Sequence, residues 1–103
     1  MSDKVKVVAA AKVNAFLSPS PGIEFQANAE FESATRSSAG VYTLTLEHHT
    51  SPNALLQVTP NNTAEFTIVA TQIDKKTIQV NAFNNDGFAA DTAFYITVSK
   101  IDD

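Results

Sequence analysis

The chain has 103 residues, enough for one domain and too few for two. It lacks cysteine, which excludes disulfide staples and thiolate metal sites. Its net charge is −4, from 11 acidic and 7 basic residues, the wrong balance for neutralising a row of nucleic-acid phosphates. No apolar run approaches the ~20 residues of a membrane-spanning helix, and no apolar signal region follows Met1. These bounds point to one complete domain over 1–103, made in the cytoplasm, with neither nucleic acid nor membrane as a partner.

The chain reads as about seven strands. The first spans Lys4 to Phe16, with Val5, Val7, Ala9, Ala11, Val13 and Ala15 on one parity facing the core. The turn Ser18-Pro19-Ser20-Pro21-Gly22 ends it, because proline fixes φ and removes an N–H. The second, Ile23 to Ser33, alternates strictly: Ile23, Phe25, Ala27, Ala29 and Phe31 against Glu24, Gln26, Asn28 and Glu30. A polar loop is expected at Thr35–Gly40. The third strand, Val41 to Glu47, buries Tyr42, Leu44 and Leu46. After a loop from His48 to Asn53 comes a short strand, Leu55 to Val58, then a turn from Thr59 to Thr63. The fifth strand, Ala64 to Thr71, points Ala64, Phe66, Ile68 and Ala70 inward, and Ile73–Lys76 turns the chain. The sixth, Thr77 to Asn84, carries Ile78, Val80 and Ala82. The last, Phe88 to Ser99, carries Ala90, Phe94, Ile96 and Val98.

Parity fixes the final connection. The core residues of both flanking strands are even-numbered. A two-residue loop would put one set in water, whereas a three-residue loop keeps them together. The loop is therefore Asn85-Asp86-Gly87, with Asn84 opposite Phe88 and Ile78 opposite Phe94. Gly87 takes positive φ in a type I turn with a G1 bulge. The whole pattern predicts a single-domain, all-β antiparallel sandwich, Ig-like or jelly-roll-like.

The first strand is anomalous. It would run roughly 40 Å at ~3.3 Å per residue, about twice the usual length. Its outward parity holds Val8, Ala10 and Phe16 among its lysines. Such a strand either bends at a bulge or meets another subunit. Phe83 and Tyr95 also lie off the core parity. Val8, Ala10, Phe16, Phe83 and Tyr95 are therefore the candidate interface residues.

The polar residues offer little chemistry. Glu24, Glu30 and Glu32 share one face of a strand and read as solvated. His48 and His49 are chain neighbours that point apart on an extended backbone, so they do not chelate together. Asn84, Asn85, Asp86 and Asp91 lie near a glycine, but their spacing fails the calcium-loop pattern. Asn61-Asn62-Thr63 is a glycosylation sequon that reads as a turn without a secretory leader. No Gly-x-Ser-x-Gly elbow or glycine-rich phosphate loop is present. The residues point to no enzyme, no metal and no cofactor.

Two phrases carry a resemblance. Ser33-Ala34-Thr35-Arg36-Ser37-Ser38-Ala39-Gly40-Val41-Tyr42-Thr43-Leu44-Thr45-Leu46 and Asp86-Gly87-Phe88-Ala89-Ala90-Asp91-Thr92-Ala93-Phe94-Tyr95-Ile96-Thr97-Val98 resemble segments of small β-domains in tailed bacteriophages. That group comprises capsid decoration or cement proteins, head fibres and tail fibres. The resemblance implies a non-enzymatic virion component made in the host cytoplasm. Its partners would be itself, as a homotrimer, and a major capsid or tail protein. A domain that starts at Met1, with no shaft segment before it, suits a decoration protein better than a fibre tip. The alternative is a tail- or head-fibre module that binds a receptor or glycan.

Overall fold

Eight antiparallel strands form two four-stranded sheets. The computed structural model describes residues 4–15, 22–49, 54–61 and 65–102. The strands are β1 (Lys4–Asn14), β2 (Glu24–Ala29), β3 (Phe31–Ser38), β4 (Val41–Leu46), β5 (Leu55–Pro60), β6 (Phe66–Gln72), β7 (Thr77–Asn84) and β8 (Phe94–Asp102). The first sheet has the order β2-β1-β8-β5 and the second β3-β4-β7-β6. The chain therefore changes sheet between β2 and β3, β4 and β5, β5 and β6, and β7 and β8.

The core lies between the sheets. Ala9, Ala11, Val13, Phe94, Ile96 and Val98 of the first sheet meet Phe31, Tyr42, Leu44, Leu46, Ile78, Val80 and Ala82 of the second. Period-2 alternation places these residues on the inner faces, as the sequence predicts for β4, β7 and β8. The Tyr42 and Phe94 rings stack across the gap at 5.4 Å. Phe66, Ile68 and Ala70 of β6 are half-buried against this core.

The expected second strand is two strands. At Glu30 the backbone takes φ +71°, and the chain leaves one sheet for the other. Asn28 fixes this bend. Its Oδ1 accepts the Phe31 N–H at 3.0 Å and its Nδ2 donates to the Phe31 carbonyl at 2.9 Å. Asparagine competes with ladder hydrogen bonds in this way, which an apolar/polar count does not register. The expected polar loop at Thr35–Gly40 is also shorter: β3 runs to Ser38, and only Ala39 and Gly40 turn the chain.

Two register shifts overturn part of the core assignment. Along β1, Val7 pairs with Ser99 but Ala9 with Val98, so Val8 is an extra residue. Val8 packs partly buried against the core, while Val5 and Val7 are turned outward at 65% and 58% exposure. Along β2, Ala27 pairs with Lys12 but Phe25 with Val13, so Gln26 is extra. Phe25 stays half-buried and stacks on Phe31 at 5.9 Å, while Ala27 and Ala29 become exposed. An inserted residue exchanges inner and outer parity for everything on one side of it.

The last connection is half as expected. Gly87 has φ +83°, its N–H reaches the Asn84 carbonyl at 3.0 Å, and Asn84 N–H bonds to the Phe88 carbonyl at 2.8 Å. That is the three-residue loop. The pairing of Ile78 with Phe94 does not form. Ile78 pairs with Leu44 and Gln72, and Phe94 pairs with Val13 and Pro60 in the other sheet. Backbone pairing stops after Ala90, whose N–H bonds to the Ala82 carbonyl. The chain then crosses between the sheets through Asp91–Ala93. Phe16, Ala64, Asn62-Thr63 and most of the Ser18–Gly22 and His48–Asn53 turns lie outside the described residues.

Candidate functional site

Two features stand out once the sheets are built: a half-buried polar hub at the crossing before β8, and the outer face of the first sheet. The hub is the Asp91 carboxylate. Arg36 Nε lies 3.0 Å from both carboxylate oxygens, and the far guanidinium nitrogen lies 2.8 Å from Oδ2. The Gly40 N–H donates to Oδ1 at 2.9 Å and the Tyr42 hydroxyl at 2.7 Å. The Tyr42 oxygen in turn accepts the Thr92 N–H at 3.2 Å. Burial pushes the Asp91 carboxyl upward, but the bonds from Arg36, Gly40 and Tyr42 outweigh it and hold the group below its ordinary value. Burial, then the bond to Asp91, pushes the Tyr42 phenol up, so it remains a donor.

This hub joins two phrases far apart in the chain, Ser33–Leu46 and Asp86–Val98. Arg36, Gly40 and Tyr42 come from the first phrase, and Asp91 and Thr92 from the second. Gly40 is fixed by space as well as by φ +72°, since a Cβ there would stand 2.4 Å from the Ala82 carbonyl oxygen. The carboxylate is mostly covered, at 13% side-chain exposure. The arrangement locks β3, β4 and the start of β8 together. Its hydrogen bonds tie together segments of the chain that lie 49 to 55 residues apart.

The outer face of the first sheet is different. Register places its side chains in rows: Val7, Ser99 and Leu55; then Ala29, Ala10, Thr97 and Gln57; then Ala27, Lys12, Tyr95 and Thr59. Lys12 is the one charged side chain in these three rows, and its ammonium sits 5.9 Å from the Tyr95 ring centroid. Leu55 and Tyr95 are each 42% exposed. Ala10, Ala27 and Ala29 floor a shallow depression beside Tyr95. The outer face of the second sheet presents Thr35, Thr43, Gln79 and Thr71 in one row, Thr45 and Thr77 in the next, and Val41, Asn81 and the exposed Val69 in a third.

Of the candidate interface residues, Ala10 and Tyr95 share the first sheet's outer face. Val8 is the bulge residue, packed on the core. Phe83 is half-buried on the second sheet, opposite Thr67, so the set does not form one patch. Phe16 lies outside the described residues. Val5, Val7, Leu55, Ala27 and Ala29 also belong to the exposed apolar surface, although alternation alone points Val5, Val7, Ala27 and Ala29 inward. The signal available in the sequence was the overlong first strand, which required a bulge.

Glu30, Glu47 and His48 bring donor atoms within 4.8 Å of one another at the β2–β3 bend. His48 Nε2 is 3.7 Å from Glu30 Oε2. All three are exposed, and surface carboxylates commonly gather this way without a ligand. No helix among the described residues is long and apolar enough to cross a membrane. No family model matches the chain, and neither does any curated protein or solved structure.

Proposed function

We infer that the protein is a non-enzymatic structural subunit that packs the outer face of its first sheet against protein neighbours. The setting we propose is a bacteriophage virion, with the domain decorating a capsid as an oligomer. The observation that carries this reading is the outer face itself, where rows of small and apolar side chains hold a single charge. An interaction face of this kind is depleted of charge and carries an aromatic anchor, here Tyr95. Burying such area stabilises the bound, assembled state by mass action. The two-phrase resemblance supports the virion setting.

The test is the solution mass by light scattering across a concentration series, for the wild type and for Ala10→Glu. The expected result is an oligomer, most simply a trimer, that Ala10→Glu dissociates while its circular dichroism stays unchanged. A wild-type monomer at every concentration would remove self-association through this face. An oligomer would next be sought on phage particles by electron microscopy.

A further inference from the structure

The open edge of a sheet is a template for another strand, and proteins guard it with charge, proline or bulges. The strands at sheet edges are β2, β5, β3 and β6. β2 carries Glu24 and the bulge at Gln26, β3 carries Glu32, Arg36 and its own register shifts, and β5 ends on Pro60, which has no N–H. β6 has no such guard. Phe66–Gln72 holds no charge and no proline, and its pairing with β7 runs without a shift.

Register tells which groups face the open side. The Ile73 N–H bonds to the Thr77 carbonyl, and the Ala82 N–H bonds to the Gly40 carbonyl on the β4 side of β7. Odd-numbered residues of β6 therefore bond to β7, and the backbone N–H and C=O of Phe66, Ile68 and Ala70 point out from the sheet edge. The side chains of Thr67, Val69 and Thr71 lie on the outer face, with Val69 at 47% exposure.

We propose that β6 pairs antiparallel with β6 of a second copy of this chain, about a two-fold axis at Val69. That register sets Ile68 opposite Ala70, so that their outward-pointing backbone groups bond, and it sets Thr67 opposite Thr71 and Val69 opposite itself. Inner faces stay with inner and outer with outer. The flanking charges select the direction. Antiparallel pairing brings the exposed Glu65 of one copy towards the Lys75-Lys76 turn of the other, whereas parallel pairing sets like charges together. Two paired strands bury less than the ~1,200 Å² of a stable interface, so the contact is weak alone and gains by avidity from any second contact. It lies on the other sheet from the proposed interaction face and closes as a pair rather than a ring, so either reading stands or falls alone.

The test is disulfide trapping, which is clean because the chain has no cysteine of its own. Val69→Cys places two thiols in a non-hydrogen-bonded pair with Cα atoms about 4.5 Å apart, within disulfide reach. Thr67→Cys, exposed on the same strand and face, lies four residues out of register with its copy, roughly 13 Å away and beyond reach. Under mild oxidation at high protein concentration, Val69→Cys is expected to dimerise at least about tenfold faster than Thr67→Cys. Adding Ala10→Glu should leave that rate within about twofold, since the two sites are distant. In the wild type, amide hydrogen exchange at Ile68 and Ala70 should slow as concentration rises. Equal rates for the two thiols overturn the proposal. So does loss of the cross-link with Ala10→Glu, or exchange at Ile68 and Ala70 that ignores concentration.

Discussion

The Asp91 hub and the outer face of the first sheet are opposite solutions to the same problem. Each gathers residues far apart in the chain onto one spot. At the hub the Asp91 carboxylate meets partners inside the domain, with bonds from β3, β4 and the turn between them. On the outer face, apolar side chains such as Val7 and Leu55 meet water. The difference separates what holds the fold from what the fold has to spare. Substitutions at the hub should cost stability, and substitutions on the face should cost association alone.

The largest effect is expected at Asp91. Asp91→Ala leaves the Gly40 N–H and the Tyr42 hydroxyl without their acceptor and Arg36 without its counter-charge. Losing one partner of a mostly covered pair should cost about 2–4 kcal/mol in urea unfolding, discounted for the partial exposure of Arg36. The pH dependence follows from the same bonds. The folded-state carboxyl lies below its ordinary value, so the unfolded chain binds more protons between the two pKa values. This contribution is fully present above the unfolded value, about 3.9, and is lost as pH falls through the folded one. Asp74 adds in the same direction, because the N–H of Lys76 and bonds from Thr77 hold its carboxyl down. Urea midpoints should therefore fall on acidification, and Asp91→Asn should fall less steeply. An unchanged acid slope would show that the hub is not electrostatic.

Gly40 gives the next effect, and Gly87 supplies its control. Both have positive φ, at +72° and +83°. A Cβ at Gly40 would meet the Ala82 oxygen at 2.4 Å and the Ala90 nitrogen at 2.8 Å, both backbone, whereas Gly87 has open space. Gly87→Ala should cost about 1 kcal/mol from backbone conformation alone. Gly40→Ala adds a clash beside the hub and should cost at least about 2 kcal/mol. Equal losses in thermal or urea unfolding would mean that the hub tolerates displacement of its backbone frame.

The sequence made the hub's elements visible but not their meeting. Alternation placed Tyr42, Leu44, Ile78, Val80, Phe94, Ile96 and Val98 inside, because those strands run without interruption. It set Asn85-Asp86-Gly87 correctly as a loop, because parity and the glycine agree. It failed at Val8 and Gln26, where one inserted residue reverses every side chain beyond it. It failed again at Asn28–Glu30, where a side chain takes over the backbone's hydrogen bonds. The bond of Asp91 to Arg36 spans 55 residues, and no local pattern announces a contact set by strand order. The candidate face was legible only through Ala10 and Tyr95. Val5, Val7, Ala27 and Ala29 became surface because the bulges in β1 and β2 turned them outward.

The smallest stability effect should therefore come with a large change in behaviour. Val7 and Leu55 flank Ser99 in one row of the outer face, and Ser99 is 6% exposed beneath them. The double change Val7→Thr and Leu55→Thr keeps two side chains there while removing apolar surface. Away from core packing, each change should stay within about 0.5 kcal/mol. If the row is only a lid over Ser99, stability falls further and the solution mass does not move. If it is spare surface for a neighbour, the unfolding midpoint holds and the oligomer dissociates. The second outcome is expected, because bulges that turn Val5, Val7, Ala27 and Ala29 away from the core give up burial that only another molecule would restore.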